Sequence, residues 1–289
     1  MQMSGDGAVS PTLRRRRLGR QIRDRRTERK MSGTELAKRI GGINQARLSR
    51  VESGKATLTK VQIRKMTEVL ELSSEQAELW YELWQEGDQL GWWSEYADVI
   101  QEHGEMLAGL ESDAAHIRQY IEAFIPLMLT TEEYSHAVVY SSQNTKPSDM
   151  ARSVEFRMKR QHRLNDPNFR YTVVIAEGAL HRHVGGREVL ARQLRYLLDT
   201  QWTATVEVLI VPFEADVYAA QGMSFEIMEF ADPEDPECVF IEFAPTSGFL
   251  EKPSELRYYN NMWSVAASKA LDVEQSRERI EKVWADLIL

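Results

Sequence analysis

The chain of 289 residues has a single cysteine, Cys238, so no internal disulfide can staple it and its cores must come from packed apolar side chains. This usage fits a reducing compartment, and a cytoplasmic, nucleoid-associated location is expected. No apolar run approaches the roughly 20 residues that a membrane helix needs, and the N-terminus lacks a signal peptide's apolar centre. Phosphate-cradling glycine loops, nucleophile elbows and zinc-protease motifs are missing, so no enzyme activity and no cofactor are expected. Acidic residues are scarce in one place. The first 65 residues hold 5 Asp and Glu against 18 Lys and Arg, a net +13, although the whole chain is −8, which leaves −21 for the rest. A basic module joined to an acidic body is a pattern of nucleic-acid binding, with the acidic part kept away from phosphate. The length suggests about two domains.

Within the basic part, Thr27–Leu72 carries dense helix punctuation. Ser32 with Glu35 has the spacing of a capping box, Asn44 can cap the next helix, and Gly54 stands where a helix end favours positive φ. Two short helices joined across Gly41-Gly42 form a helix-turn-helix pattern. At about 100° per residue, Leu48 and Val51 fall on one side of the second helix, and Ala46, Ser49, Arg50 and Ser53 on the other. An outward face of hydrogen-bonding side chains suits base edges in a major groove, which admits an α-helix.

The run from Met31 to Gly54 resembles the helix-turn-helix of Xre/Cro/phage-repressor-type regulators. The resemblance implies that Gln45, Ala46, Ser49 and Arg50 face bases, and that Ser32 and Lys55 contact the DNA backbone. It also implies that Arg26 and Glu52 form an acid–base pair tying the recognition helix to helix one. Thr34, Asn44 and Arg47 are expected at the backbone as well. Two departures stand out: Gly33 replaces a glutamine that usually contacts a phosphate, and the Leu36–Leu48 spacing is one residue longer than common, the extra residue falling at Gly41-Gly42.

Ahead of this module, residues 1–11 read as a disordered lead-in. Leu18 and Ile22 would then anchor a helix by one side and leave Arg14, Arg15, Arg16 and Arg17 partly free, as a solvated or targeting patch or, beside a helix-turn-helix, as phosphate contacts. Residues 12–72 are expected to form the DNA-binding domain, 73–106 a connecting helix and linker, and 107–289 an α+β regulatory or partner-binding domain. Trp80 and Trp84, four apart on one helical face, would pack on the second domain or form part of a dimer seam.

In the remainder, helical periodicity covers Leu107–Val139 with a break at Pro126 and a helix start at Thr131. Arg152–Leu164 and Arg187–Leu198 also read as helices. Tyr171–Ala176 and Thr205–Val211 read as strands, and Phe225–Phe230 and Val239–Phe243 as a hairpin around an acidic loop. Pro253–Ala270 and Val273–Ile288 would close the domain. The fold class is α+β overall, an all-α bundle followed by a small mixed or antiparallel sheet surrounded by helices.

Gly91-Trp-Trp93, Gly109–Tyr120, Val184-Gly-Gly186, Gln193–Leu198, Val211-Pro-Phe213 and Phe249–Pro253, in that order, resemble the second domain of WhiJ-like actinobacterial regulators. Leu127, Thr130 and Tyr218 depart from the family pattern. The resemblance implies a transcription regulator, expected to be a homodimer on a double-stranded operator, often encoded beside a small antagonist protein. A small-molecule ligand is a further possible partner, and an antitoxin-like protein that mainly holds its neighbour-encoded partner is the alternative reading. His181 and His183 beside Glu177, with His162 and Cys238, invite a metal reading, but nothing in their spacing makes them converge, and no metal site is expected. Arg157, Arg160 and Arg163 recur every third residue, as a charged helix face or a site for an acidic partner.

Overall fold

The computed structural model describes residues 10–141, 145–199, 205–243 and 246–289. The chain divides into two compact units, one comprising residues through Glu95 together with Glu105–Asp113, the other Tyr96–Gly104 with Ala114–Leu289.

The first unit is helical: α1 (Pro11–Glu28), α2 (Gly33–Ile40), α3 (Gln45–Glu52), α4 (Lys60–Val69) and α5 (Ser74–Gly87), joined by most of α6 (Glu102–Asp113). Local signals place the ends. Ser32 Oγ accepts from the Glu35 N–H, so the Ser32 half of the expected capping box forms, while Glu35 Oε1 is taken by Arg39. Asn44 Oδ1 accepts from the Arg47 N–H, and α4 and α5 open with complete capping boxes at Thr59 and Ser73. The α2–α3 turn has φ of 73° at Gly41 and 69° at Gly42, two successive left-handed residues that explain the glycine pair and the longer spacing. The core gathers Leu18 and Ile22 of α1, Leu36 and Ile40 of α2, Leu48 and Val51 of α3, Ile63 and Met66 of α4, and Trp80 and Leu83 of α5.

Three expectations change here. Trp80 is buried in this core, Trp84 packs against it, and the Trp84 Nε1–H donates to Leu58 O at 2.7 Å. Both tryptophans therefore pack within their own helical unit. Within the expected connecting helix and linker at 73–106, α5 packs into the N-terminal bundle through Trp80 and Leu83. The expected lead-in also ends early. Ser10 caps α1, donates from Oγ to Gly109 O at 3.0 Å and from its N–H to Asp113 Oδ1 at 2.7 Å, and Pro11 begins the helix. The rest of that segment lies outside the described residues.

The second unit holds β1 (Ala114–Ile121), α7 (Glu132–Ser141), α8 (Met150–Arg160), β2 (Arg170–Ala176), α9 (Gly178–His181), α10 (Arg187–Asp199), β3 (Val206–Val211), β4 (Phe225–Phe230), β5 (Cys238–Phe243), β6 (Thr246–Leu250), α11 (Pro253–Lys269) and α12 (Val273–Ile288). Among the described residues the sheet has six strands in the order β3-β2-β1-β4-β5-β6, parallel from β3 to β1 and antiparallel beyond. Helices flank this mixed sheet, as an α+β domain requires. On one face Tyr120, Val174, Phe225, Ile227 and Val239 pack against Leu256, Tyr259, Met262 and Ala266 of α11. Ile117, Val173, Ile175 and Met228, which alternation places on the opposite face, are fully buried too. Edge strand β3 is blunted where Ile210 N donates to Ser276 Oγ and Leu271 N donates to Ile210 O.

Ala114–Ile121, expected as helix, is instead an inner strand. Its apolar residues Ala114, Ile117 and Ile121 sit three and four apart, which imitates a helical stripe. The polar residues between them find partners across the sheet. His116 Nε2 meets Thr172 Oγ1 at 3.0 Å, and Arg118 donates to Glu229 at 2.5 Å and to Asn260 at 2.7 Å. Hydrogen bonding to His116, reinforced by the charge of Arg118, holds the Glu229 carboxyl down at about 2.

Candidate nucleic-acid interface

The outer surface of α3 is the candidate site. Leu48 and Val51 are buried against the bundle, whereas Asn44, Gln45, Ala46, Arg47, Ser49 and Arg50 are exposed. The eight-residue helix thus spends its apolar side on the core and presents polar side chains and Ala46 outward.

Its C-terminal end is tied to α1. Arg26 donates from Nε and Nη2 to the two oxygens of Glu52, at 2.6 and 3.1 Å, and from Nη1 to Met31 O at 2.9 Å. With side chains 17% and 11% exposed, this is a mostly buried bidentate pair, and the hydrogen bond to Glu52 raises the pKa of Arg26 above its ordinary value. The expected pair is therefore present. Gly19 lets α1 approach the end of α3, because a Cβ there would come within 2.4 Å of Val51 O and 2.8 Å of Glu52 O.

Around the face, the expected backbone residues differ in what they have left to offer. Ser32 is exposed and uses a lone pair as a cap, which leaves its hydroxyl proton available. Asn44 likewise uses its oxygen and keeps its amide N–H groups. Lys55 is exposed just past Gly54. Arg47 donates from Nη2 to Thr57 O at 3.3 Å, bracing the loop after α3. Thr34 donates from Oγ1 to Gln45 Oε1 at 3.0 Å, a link between two assigned residues that spacing alone does not reveal.

The arginine run of α1, expected to be partly free, is largely packed and paired within its own unit. Arg16 is 4% exposed, with its backbone and Cγ against Gly54, and Arg17 is half-buried. Arg15 packs against Gly87 and donates to its carbonyl at 3.3 Å; burial lowers its pKa. Arg14 is paired with Glu86 at 2.7 Å. The reason is close packing within the unit: Gly54, Gly87 and Gly109 of other segments lie against Arg16, Arg15 and Thr12.

In the second unit, Glu177 is buried, accepts from Phe213 N at 2.8 Å and Arg279 Nη1 at 2.6 Å, and lies 3.6 Å from His181 Nε2. Among the described residues no group of three or more His, Cys, Asp and Glu side chains stands together as a metal site. No helix among them is long and apolar enough to cross a membrane.

A capped pair of short helices with an outward polar face and a buried acid–base tie defines a helix-turn-helix protein of the DNA-binding, regulatory class. Residues 17–80 match the model of a helix-turn-helix domain, and residues 105–282 match that of a domain of unknown function (DUF5753). The second match spans well over half of the chain, which therefore belongs to the DUF5753 family. No curated protein and no solved structure matches the chain.

Proposed function

We propose that this protein is a sequence-specific transcription regulator that lays α3 in the major groove of an operator. Gln45, Ser49 and Arg50 read base edges there, with Ala46 packed beside them. Ser32, Asn44 and Lys55 fix the module on phosphates. The carrying observation is the division of α3, with Leu48 and Val51 buried and Gln45, Ser49 and Arg50 exposed. The strongly basic front end adds the sequence-independent attraction that phosphate binding needs.

In this reading the chain acts as a homodimer in the cytoplasm, and its acidic C-terminal domain receives a small protein or ligand that sets DNA occupancy. The ordered likeness of that domain to WhiJ-like actinobacterial regulators supports a small antagonist encoded nearby. Selection from a random duplex pool with the full-length chain tests the proposal. A defined site is expected, and Arg50→Ala should lose about 1 to 3 kcal/mol of discrimination at one base pair. Recovery of no preferred sequence, or an Arg50→Ala protein that treats every site variant as wild type does, overturns it.

A further inference from the structure

Thr34 and Gln45 face each other across the helix-turn-helix. Thr34 lies in the first turn of α2 and Gln45 opens α3, and the Thr34 hydroxyl donates to Gln45 Oε1 at 3.0 Å. The stem of the glutamine runs near the same turn, since a Cβ placed on Gly33 would lie 3.7 Å from Gln45 Cγ. Thr34 and Gln45 are both exposed on the surface proposed to meet DNA.

A threonine hydroxyl has one proton. Spent on Gln45, it is no longer available to a phosphate, unlike that of Ser32, whose oxygen serves as a cap while its proton stays available. Threonine is also branched at Cβ and stiff about χ1, which makes it a firm pin. After accepting from Thr34, the glutamine amide keeps one lone pair on Oε1 and both N–H groups, the acceptor and donor combination that a bidentate contact with adenine uses.

We propose that Thr34 is a positioning residue for base readout, and that its hydroxyl holds the Gln45 amide in the orientation that reads one base pair. This rests on the assignment of α3 as the reading helix. It replaces the backbone-contact role expected for Thr34 from the sequence.

The test uses the full-length chain, the duplex selected from a random pool, and all single base-pair variants of that duplex. Wild type, Thr34→Val, Thr34→Ser, Gln45→Ala and the Thr34→Val/Gln45→Ala double variant are compared, with circular dichroism confirming that each is folded. Gln45→Ala should lose discrimination at one base pair by about tenfold. Thr34→Val should lose about three- to tenfold at that same pair, and Thr34→Ser should stay within about twofold of wild type. In the Gln45→Ala background, Thr34→Val should change binding by less than about twofold, because the two act as one unit.

A Thr34→Val protein that binds all duplexes evenly more weakly, with a salt slope reduced by about 0.9, would make Thr34 a phosphate contact and overturn the inference while leaving the reading helix intact. Additive effects of Thr34→Val and Gln45→Ala overturn it equally. If the wild-type chain selects no sequence, or Gln45→Ala changes no base-pair preference, the assignment of Gln45 as a reader falls and the inference with it.

Discussion

Two arginine-bearing segments of the N-terminal unit look alike as sequence and behave oppositely as structure. Arg14–Arg17 is the densest positive run in the chain, yet Arg16 is sealed in, Arg15 is bound to Gly87 O and Arg14 is paired with Glu86. Helix α3 has only Arg47 and Arg50, and both are exposed. Charge density therefore does not mark the surface proposed to face DNA. What separates the two is what approaches them: α1 is met by Gly54 and Gly87, residues without side chains that let backbone close over the arginine stems, whereas Arg47 and Arg50 on the outer face of α3 stay exposed. Long arginine side chains can bury their methylenes under such cover.

If that contrast is real, disturbing the fit of α1 should cost more than any change on the α3 face. Gly19→Ala is the harshest case, because its Cβ would meet the backbone oxygens of Val51 and Glu52, which cannot swing aside. It should destabilise the N-terminal unit by about 3 kcal/mol or more, read by chemical denaturation. A loss below about 1 kcal/mol would mean that α1 does not dock so closely. Next is Glu52→Ala, which strips a mostly buried guanidinium of its bidentate partner and should cost about 2 kcal/mol. Because Glu52 also ends α3, the same variant should blunt sequence discrimination without touching a base.

The direct test of the comparison exchanges the two kinds of arginine. Arg16→Ala is expected to lower stability by about 1 to 2 kcal/mol through lost packing and to leave the salt dependence of DNA binding unchanged. Arg50→Ala should do the reverse, sparing stability and weakening discrimination at one base pair. Should Arg16→Ala reduce the salt slope by about 0.9 once the folded fraction is accounted for, Arg16 reaches a phosphate and the contrast collapses.

Much of the helix-turn-helix was legible because its signals are local. Ser32, Asn44, the Gly41-Gly42 turn and the alternation of Leu48 and Val51 with exposed neighbours each act within a few residues, and Arg26–Glu52 came from the resemblance. The fate of the arginine run was not legible, since it depends on glycines up to 72 positions away. The same holds for β1, where helical spacing of Ala114, Ile117 and Ile121 masks a strand whose His116 and Arg118 are satisfied by partners on β2, β4 and α11. Trp84 belongs here too: its partner, Leu58 O, lies in a loop 26 residues earlier. The link between Thr34 and Gln45 is hidden for a gentler reason, as the sequence points each to DNA separately and only their geometry joins them.

The smallest effect asks whether close approach, rather than glycine as such, distinguishes α1. Gly33 starts α2, has no positive φ, and a Cβ on it would make only ordinary contacts, 3.7 Å to Gln45 Cγ and 3.9 Å to Leu48 Cδ2. With no clash and no strained backbone, the unfolded chain's loss of freedom should dominate. Gly33→Ala is therefore expected to stabilise the unit by about 0.5 kcal/mol, opposite in sign to Gly19→Ala, and to leave the base preference at Gln45 as it was. A destabilising Gly33→Ala would show that the first turn of α2 is packed as tightly as α1, and the difference drawn between the two surfaces would then rest on charge pairing alone.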